Sequence, residues 1–596
     1  MNKQTSALRL AILAALGATG VAFNAQAIEF QKGELSGSWD TTITYGASWR
    51  IEDRDDSNVG KDKFNPFTFQ LPVDQRIALP GRFSSNGDDG NLNFDDGDLI
   101  SHQIRFTTEL DFTWRNFGGF FRALGFYDFE LSGADFLDFG DGGRFGDPDR
   151  YVGNDIRLLD GFFFWDFSLG DNHPGTVRLG RQVVSWGEST FIQGGMNVIN
   201  PVDVSRLRTA GAELKEAFQG VDMIWGTVDL TENLSLEALY MFEFEQIDPD
   251  YRGTYFATND FAVPGGQFAM LGFAQYPEEF GPLTIPRRFD GSPSDSGQWG
   301  MALRWFVPEF NQTEFGFYYL NYHSRLPLIS GFAVTNGSPS SGQYFTEYPE
   351  DIEVWGASFN TEVAGWSMAG EVTYRDNLPL QIDDVEVLFG ALTPLNSGIP
   401  EPVNRFTSQI GEVGFGDFIQ GWEEHEVTQA QMTFTRLIGP NNFLKAQQMV
   451  FLAEVGGTKV WDLPDQSVLR YNGPATDTGG GPDELTGNFR NPVTTDGFAE
   501  DWSWGYRLIT RADYNSVFGT AWNLSPRLAF NHDVDGTSPG PGGNFIEGRK
   551  QLTLGVGANY LTQWGADLSY TRYFGEGRFN ELRDRDFVAF SISYAF

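Results

Sequence analysis

Phe587-Val588-Ala589-Phe590-Ser591-Ile592-Ser593-Tyr594-Ala595-Phe596 closes the sequence. Val588, Phe590, Ile592, Tyr594 and Phe596 are apolar at every second position, and Ala589, Ser591, Ser593 and Ala595 between them are small. A period of two is a β-strand with one apolar face. Two architectures use such a strand. One is the edge of a soluble sandwich, and the other is the wall of a barrel whose aromatic side meets lipid.

The same pattern recurs upstream. Leu35, Trp39, Ile43, Tyr45, Ala47, Trp49 and Ile51 share one face, opposite Ser36, Ser38, Asp40, Thr42, Thr44 and Arg50. Ile100, Ile104, Phe106, Leu110, Phe112 and Trp114 oppose Gln103, Arg105, Thr107, Glu109 and Asp111. Trp502, Trp504, Tyr506, Leu508, Ala512 and Tyr514 alternate with Ser503, Arg507, Arg511 and Asp513. Short connections such as 115–117, 363–365 and 562–564 alternate with long ones such as 52–98, 246–297 and 377–424. Short turns at one end and long loops at the other are the pattern of a transmembrane antiparallel β-barrel with long extracellular loops. The reading is all-β, with about 18 strands and 16 as the alternative count. An even number brings both termini to the same side.

At the other end, Lys3 and Arg9 precede the apolar run Leu10–Phe23 and then Ala25-Gln26-Ala27. This is the layout of a secretory signal peptide over residues 1–27, cleaved after Ala27, with a single barrel domain over 28–596. Export places the chain in the outer membrane of a Gram-negative bacterium once the barrel is granted. Later in the sequence no run of about 18 apolar residues appears, so no helical span is read. The mean hydropathy of −0.31 hides a barrel, because lumen-facing positions are polar. The 55 Phe, 20 Tyr and 16 Trp, with 71 Gly, suit aromatic girdles and tight turns. Cysteine is absent. With 80 acidic against 41 basic residues and a formal charge of −39, a nucleic-acid partner is excluded. Outer-membrane lipid and lipopolysaccharide are the expected surroundings.

Asp88, Asp89, Asp95 and Asp96 crowd the end of the first long loop together with Asn91, Asn93 and Asp98. Clustered oxygens are a weak calcium candidate, without the EF-hand spacing; a solvated acidic loop is the plainer reading. Gly536-Thr537-Ser538-Pro539-Gly540 matches G-x-S-x-G near His532. It sits in a Gly/Pro loop rather than on a strand-to-helix elbow, so no catalytic residue is assigned and the chain is not read as an enzyme. The five His are scattered, and no cofactor motif is found.

The most distinctive internal stretch runs from Gly180-Arg181-Gln182-Val183-Val184-Ser185-Trp186-Gly187-Glu188 through Asn197-Val198-Ile199-Asn200-Pro201 to Gly211-Ala212-Glu213-Leu214-Lys215-Glu216-Ala217. Asn200 and Pro201 read as N-cap and first residue of a short helix reaching Arg208. Phe191, Ile192, Val198, Ile199, Pro201 and Leu207 call for burial. Residues 188–217 therefore form a candidate lumen plug, or equally a cap packed on neighbouring loops. If the lumen is instead open and polar, Arg105, Glu109, Arg178, Glu237, Arg507, Arg511 and Asp513 are the candidate lining charges.

This stretch, with the terminal strand and Asn91–Leu99, resembles the proteobacterial proteins catalogued as domain of unknown function 1302 (DUF1302). The last strand also looks like the closing strand of bacterial outer-membrane barrels. That likeness implies that Phe590, Ile592, Tyr594 and Phe596 are an assembly signal read by the barrel assembly machinery. The family's gene neighbourhoods imply a periplasmic lipid-carrier-like protein and an inner-membrane export pump as partners. They also imply passage of a hydrophobic or amphipathic, lipid-like molecule across the outer membrane. A general or substrate-specific porin for small polar solutes is the alternative.

Overall fold

The computed structural model describes residues 28–138, 144–170, 172–277, 283–398, 406–476 and 496–596. The signal-peptide reading of 1–27 lies outside the described residues.

Eighteen strands close into one barrel. In chain order they are β1 Leu35–Arg50, β2 Leu99–Trp114, β3 Phe117–Asp128, β4 Asn154–Ser168, β5 Pro174–Gln182, β6 Val221–Thr231, β7 Leu234–Met241, β8 Trp299–Val307 and β9 Thr313–Tyr322. Then follow β10 Ile352–Val363, β11 Trp366–Gln381, β12 Trp422–Ile438, β13 Gln448–Val460, β14 Trp502–Asp513, β15 Trp522–Asp535, β16 Lys550–Tyr560, β17 Trp564–Phe574 and β18 Phe587–Ala595. Each pairs antiparallel with its neighbours in sequence, and β18 returns to β1 with Ala595 opposite Thr42 and Phe587 opposite Arg50. Closure leaves no edge to satisfy in lipid. The rest of the β1 edge is also covered. Thr41 and Phe596 exchange backbone bonds of 2.9 Å in both directions, and Ile28–Lys32 pairs with Leu35–Trp39.

The outward side chains are those that the alternation selects. Trp39, Ile43, Tyr45, Ile104, Val372 and Ile592 are exposed, while Thr44, Gln103, Thr373 and Glu454 on the other face are buried. Exposed rings gather at the two rims: Trp114, Phe117, Trp165, Trp305 and Trp564 beside the short turns, and Tyr127, Trp299, Trp355, Trp461 and Trp502 beside the long loops. These are the two interfacial girdles of a membrane barrel.

One expected outward residue is turned in. The register between β1 and β2 slips after Ser48–Ser101, so that Trp49 pairs with Leu99. This bulge directs Ile100 into a cluster with Phe94, Leu131 and Tyr255 under the loops, where it is 5% exposed. An extra residue in one strand re-aims its neighbours, and period-two reading does not register it.

The long loops pack on one another at one end. A small sheet of Leu328–Phe332, Gln343–Glu347 and Phe418–Ile419 and the helix Asp384–Leu392 form part of this cap. The G-x-S-x-G serine belongs here as well. Ser538 bonds Ser503 (2.8 Å) and the Phe545 amide (3.2 Å), while His532 pairs with Tyr506 on the wall. Among the described residues these bonds join Ser538 to Ser503 and Phe545 and so staple the loop.

Candidate functional site

The segment between β5 and β6 does not stay with the cap. It enters the barrel and passes along the inner wall. Trp186, fully buried, donates to Glu237 of β7 (2.9 Å) and lies against Gly300 of β8, where a Cβ would come within 2.8 Å of its ring. Met196 sits on Gly356 of β10, and Ile192 on Gly456 of β13, where a Cβ would lie 2.8 Å from its Cδ1. Glycine at these wall positions lets the segment approach the backbone.

Two wall carboxylates hold its far end. Glu454, in the middle of β13, accepts the consecutive amides of Thr190 (2.8 Å), Phe191 (2.7 Å) and Ile192 (2.9 Å). Glu371 of β11 accepts the amides of Glu188 (2.5 Å), Ser189 (3.2 Å) and Met196 (3.1 Å), and the Gln431 amide (2.8 Å). Arg375 donates to the carbonyls of Gly194 (2.7 Å) and Gly195 (2.8 Å), and Gln429 to that of Gln193 (2.6 Å). Successive amides aimed at one carboxylate form a cradle for negative charge, and charge-assisted bonds of this type are about twice as strong as neutral ones. β11 to β13 stand six to eight strands around the barrel from β5, so the segment spans the lumen. It then returns to β1 and β2. Gly211 accepts from Arg105, Glu216 pairs with Arg105 (3.2 Å) and Thr107, and Ala210 rests on Gly46.

The candidate plug residues fall unevenly. Ile192, Ile199 and Pro201 are buried, and Phe191 and Val198 are partly buried. Leu207 is 39% exposed, against expectation. The local helix spans only Val204–Arg208, capped by Asp203, whose side chain accepts from the Arg206 amide. That start point turns Arg206 inward over the Phe126 ring and Leu207 outward. Asn200 is not the cap. It ties the neck of the segment, accepting from the Val184 amide (2.8 Å) and donating to the carbonyls of Gln182 and Gln219.

The candidate lining charges all face inward, but six of the seven are neutralised by neighbours on the same wall or on the segment. Glu109 meets Arg122 (3.0 Å) and Lys215 (2.7 Å), and Glu237 meets Arg304 (2.6 Å). Arg507 meets Asp533 (2.8 Å), and Arg511 meets Asp513 (3.0 Å). Arg105 is held as above. They do not face one another across an open pore as a porin's opposed charges would. Arg178 is the exception and is stacked between Phe162 and Trp225.

Of the calcium candidates, Asp88 and Asp89 converge with Asp260 from another loop, their oxygens within 4.8 Å of one another. Asp95 and Asp96 are exposed and stand outside this group. Burial, with the charges of Asp89 and Asp88 beside it, holds the Asp260 carboxyl well above the usual range.

Where the segment leaves the lumen it is bound to the loop after β7. Val204 donates to the Asp248 carbonyl (2.9 Å) and Asp248 to that of Val202 (3.1 Å). The side chains of Asp203 and Asp248 share Arg157, at 2.9 and 3.5 Å. Burial and the Asp203 charge push Asp248 up to about 6. A carboxyl raised by folding favours the protonated state. Its stabilisation is complete below the ordinary carboxylate range and is lost as pH rises through about 6. The amides of Val204 and Asp248 should therefore show higher hydrogen-exchange protection factors at pH 5 than at pH 8, and Asp248→Asn should abolish the difference. Equal wild-type protection at both pH values would contradict this assignment.

A closed 18-strand barrel with a lipid-facing apolar belt and two aromatic girdles is an outer-membrane protein. The family described as "Protein of unknown function (DUF1302)" matches residues 8–596, and the chain belongs to it. No curated protein matches the chain. Among solved structures it is similar to OccAB3 of Acinetobacter baumannii, with 11% identity and a TM-score of 0.41 over 94% of this chain and 99% of that one. It is likewise similar to OccAB1 of the same organism, with 10% identity and a TM-score of 0.40 over 97% and 99%. A third is the outer membrane protein OpdK of Pseudomonas aeruginosa, with 10% identity and a TM-score of 0.38 over 94% and 98%.

Glu371, Glu454 and Arg375, which grip the segment, were not singled out by sequence reasoning. Each reads as an ordinary polar position on the lumen face. Gly300, Gly356 and Gly456, glycines on that same face, were the available signal.

Proposed function

We propose that the protein passes a hydrophobic or amphipathic molecule across the outer membrane through a barrel gated by residues 183–220. The supporting observation is a cavity with both apolar and polar walls, set over an obstructed lumen. Among the cap loops lies a cavity of about 390 Å³ lined by Phe83, Phe261 and Phe273 together with Arg82, Asp384 and Glu581. Below it the segment spans the barrel on Glu371 and Glu454. Walls of this mixed kind suit an amphipathic solute, with rings for an apolar body and charged groups for a polar head. A barrel is passive, so direction must come from a partner or a gradient. A periplasmic lipid carrier and an inner-membrane export pump fit that need, with insertion by the barrel assembly machinery and lipopolysaccharide around the outer rim.

The second reading is a porin for small polar solutes, favoured by the strand count, since barrels of 16–18 strands commonly leave an aqueous channel. Planar-bilayer recording of the purified protein, paired with a deletion strain, separates the two. The proposed function expects small, gated conductance and altered handling of a hydrophobic compound or envelope lipid in the deletion. Large, steady conductance with no lipid phenotype would establish the porin instead.

A further inference from the structure

Arg178 differs from the other arginines on the inner wall. Arg105, Arg122, Arg304, Arg507 and Arg527 each meet a carboxylate within 3.2 Å, and Arg375 meets two carbonyls. Among the described residues Arg178 meets neither; its guanidinium lies 5.2 Å from the Phe162 ring centre and 4.7 Å from that of Trp225. The carboxylates that act on it from farther off are Glu237, Asp166 and Asp160. All three are engaged elsewhere. Glu237 is held by Arg304 and Trp186, Asp160 by Arg122 and the Val183 amide, and Asp166 by the Thr176 hydroxyl (2.7 Å). The Arg178 nitrogens are not sealed from the lumen. A guanidinium carries five donors, and those that the protein does not satisfy are left for water or a ligand.

Aromatic rings stand beside it, with those carboxylates farther off. Phe162 packs against Phe120 at a tilt, centres 5.8 Å apart, and Arg122 lies over Phe120. Phe164, opposite Arg178 in register, pairs with Gly118 beside the Asn116 turn, so the group lies on the short-turn half of the wall. Short turns face the periplasm in barrels of this kind. Contact with the two rings restricts the side chain, which reduces the entropy lost when an anion binds in its fork.

We infer that Arg178, with Phe120, Phe162 and Trp225, is a binding site on the periplasmic half of the lumen for an amphiphile bearing a carboxylate. The fork receives the two oxygens, and the apolar body lies along the rings. The inference rests on the proposed passage of an amphipathic molecule and narrows it to an anionic one.

Titration calorimetry on the protein in lipid nanodiscs, with empty discs as blank, tests it with octanoate, octanol and acetate. Wild type should bind octanoate at least tenfold more tightly than either other probe, since each lacks one of the two contacts. Arg178→Gln should weaken octanoate about tenfold and leave octanol unchanged. Phe162→Ala should weaken octanoate and not acetate, and covers the case in which Arg178→Gln fails to assemble, which heat-modifiable gel mobility reports. Equal binding of octanoate and octanol, or octanoate affinity unmoved by both substitutions, would overturn the site. Loss of the site with the lipid phenotype intact would leave the passage reading standing. Octanoate binding without any lipid phenotype would do the reverse.

Discussion

Replacing Glu371 and Glu454 together by Gln should convert a poorly conducting barrel into an open one. In the wild type these two side chains accept six amides of residues 188–196. A hydrogen bond to a charged acceptor contributes about 1.5–3 kcal/mol, roughly twice a neutral one. Glutamine keeps the shape, loses the charge and presents an amide NH2 donor where a second acceptor stood. A combined loss of about 3 kcal/mol raises the ratio of released to seated segment roughly a hundredfold. The strands keep their ladder bonds, so the barrel should still shift on gels upon boiling. Single-channel recording should show long open events of high conductance where the wild type shows few. Wild-type conductance from a folded double variant would mean that this segment does not limit passage.

Much of this architecture can be read along the chain, because a barrel wall is a local object. Each strand declares its faces by alternation, and Asn, Gly or Pro marks the short turns other than Leu561–Gln563. Most connections fell within four residues of the observed ones; those after β5, β11 and β12 run over 183–220, 382–421 and 439–447, against expected spans of 188–217, 377–424 and 439–442. What is not local was not legible. The bulge that inverts Ile100 depends on pairing with β1. The Asp88–Asp260 contact joins two distant loops. Glu371 and Glu454 lie between hydrophilic neighbours much like those of any lumen-facing position, and only the arrival of the segment distinguishes them. The helix was misplaced for a similar reason. Asn200-Pro201 satisfies the local rules for a helix start, yet the Asn200 side chain was drawn away to the backbone groups of Val184, Gln182 and Gln219, and Asp203 took its role.

Deleting Phe596 should cut the amount of assembled barrel several-fold while leaving export unaffected. Two separable features meet at this residue. Its backbone exchanges two bonds with Thr41, filling the seam between the β1–β18 ladder and the strand Ile28–Lys32. Its ring, 41% exposed on the outer face, stacks on Tyr594 at 5.8 Å, which in turn lies 4.7 Å from Trp564. The backbone bonds contribute about 0.5–1.5 kcal/mol each, a small loss for a barrel with eighteen ladders. A large loss of assembled protein therefore requires the ring to act during insertion. Phe596→Asp separates the two, since it keeps the backbone and removes the aromatic face. If the ring is an assembly signal, Phe596→Asp should lower the heat-modifiable outer-membrane band as far as the deletion does, and Phe596→Tyr should restore it. If the residue only completes the seam, Phe596→Asp should assemble almost normally and the deletion alone should lose stability. Unchanged outer-membrane levels in both variants would remove the signal role from this residue and leave the ring as one more member of the lower aromatic girdle.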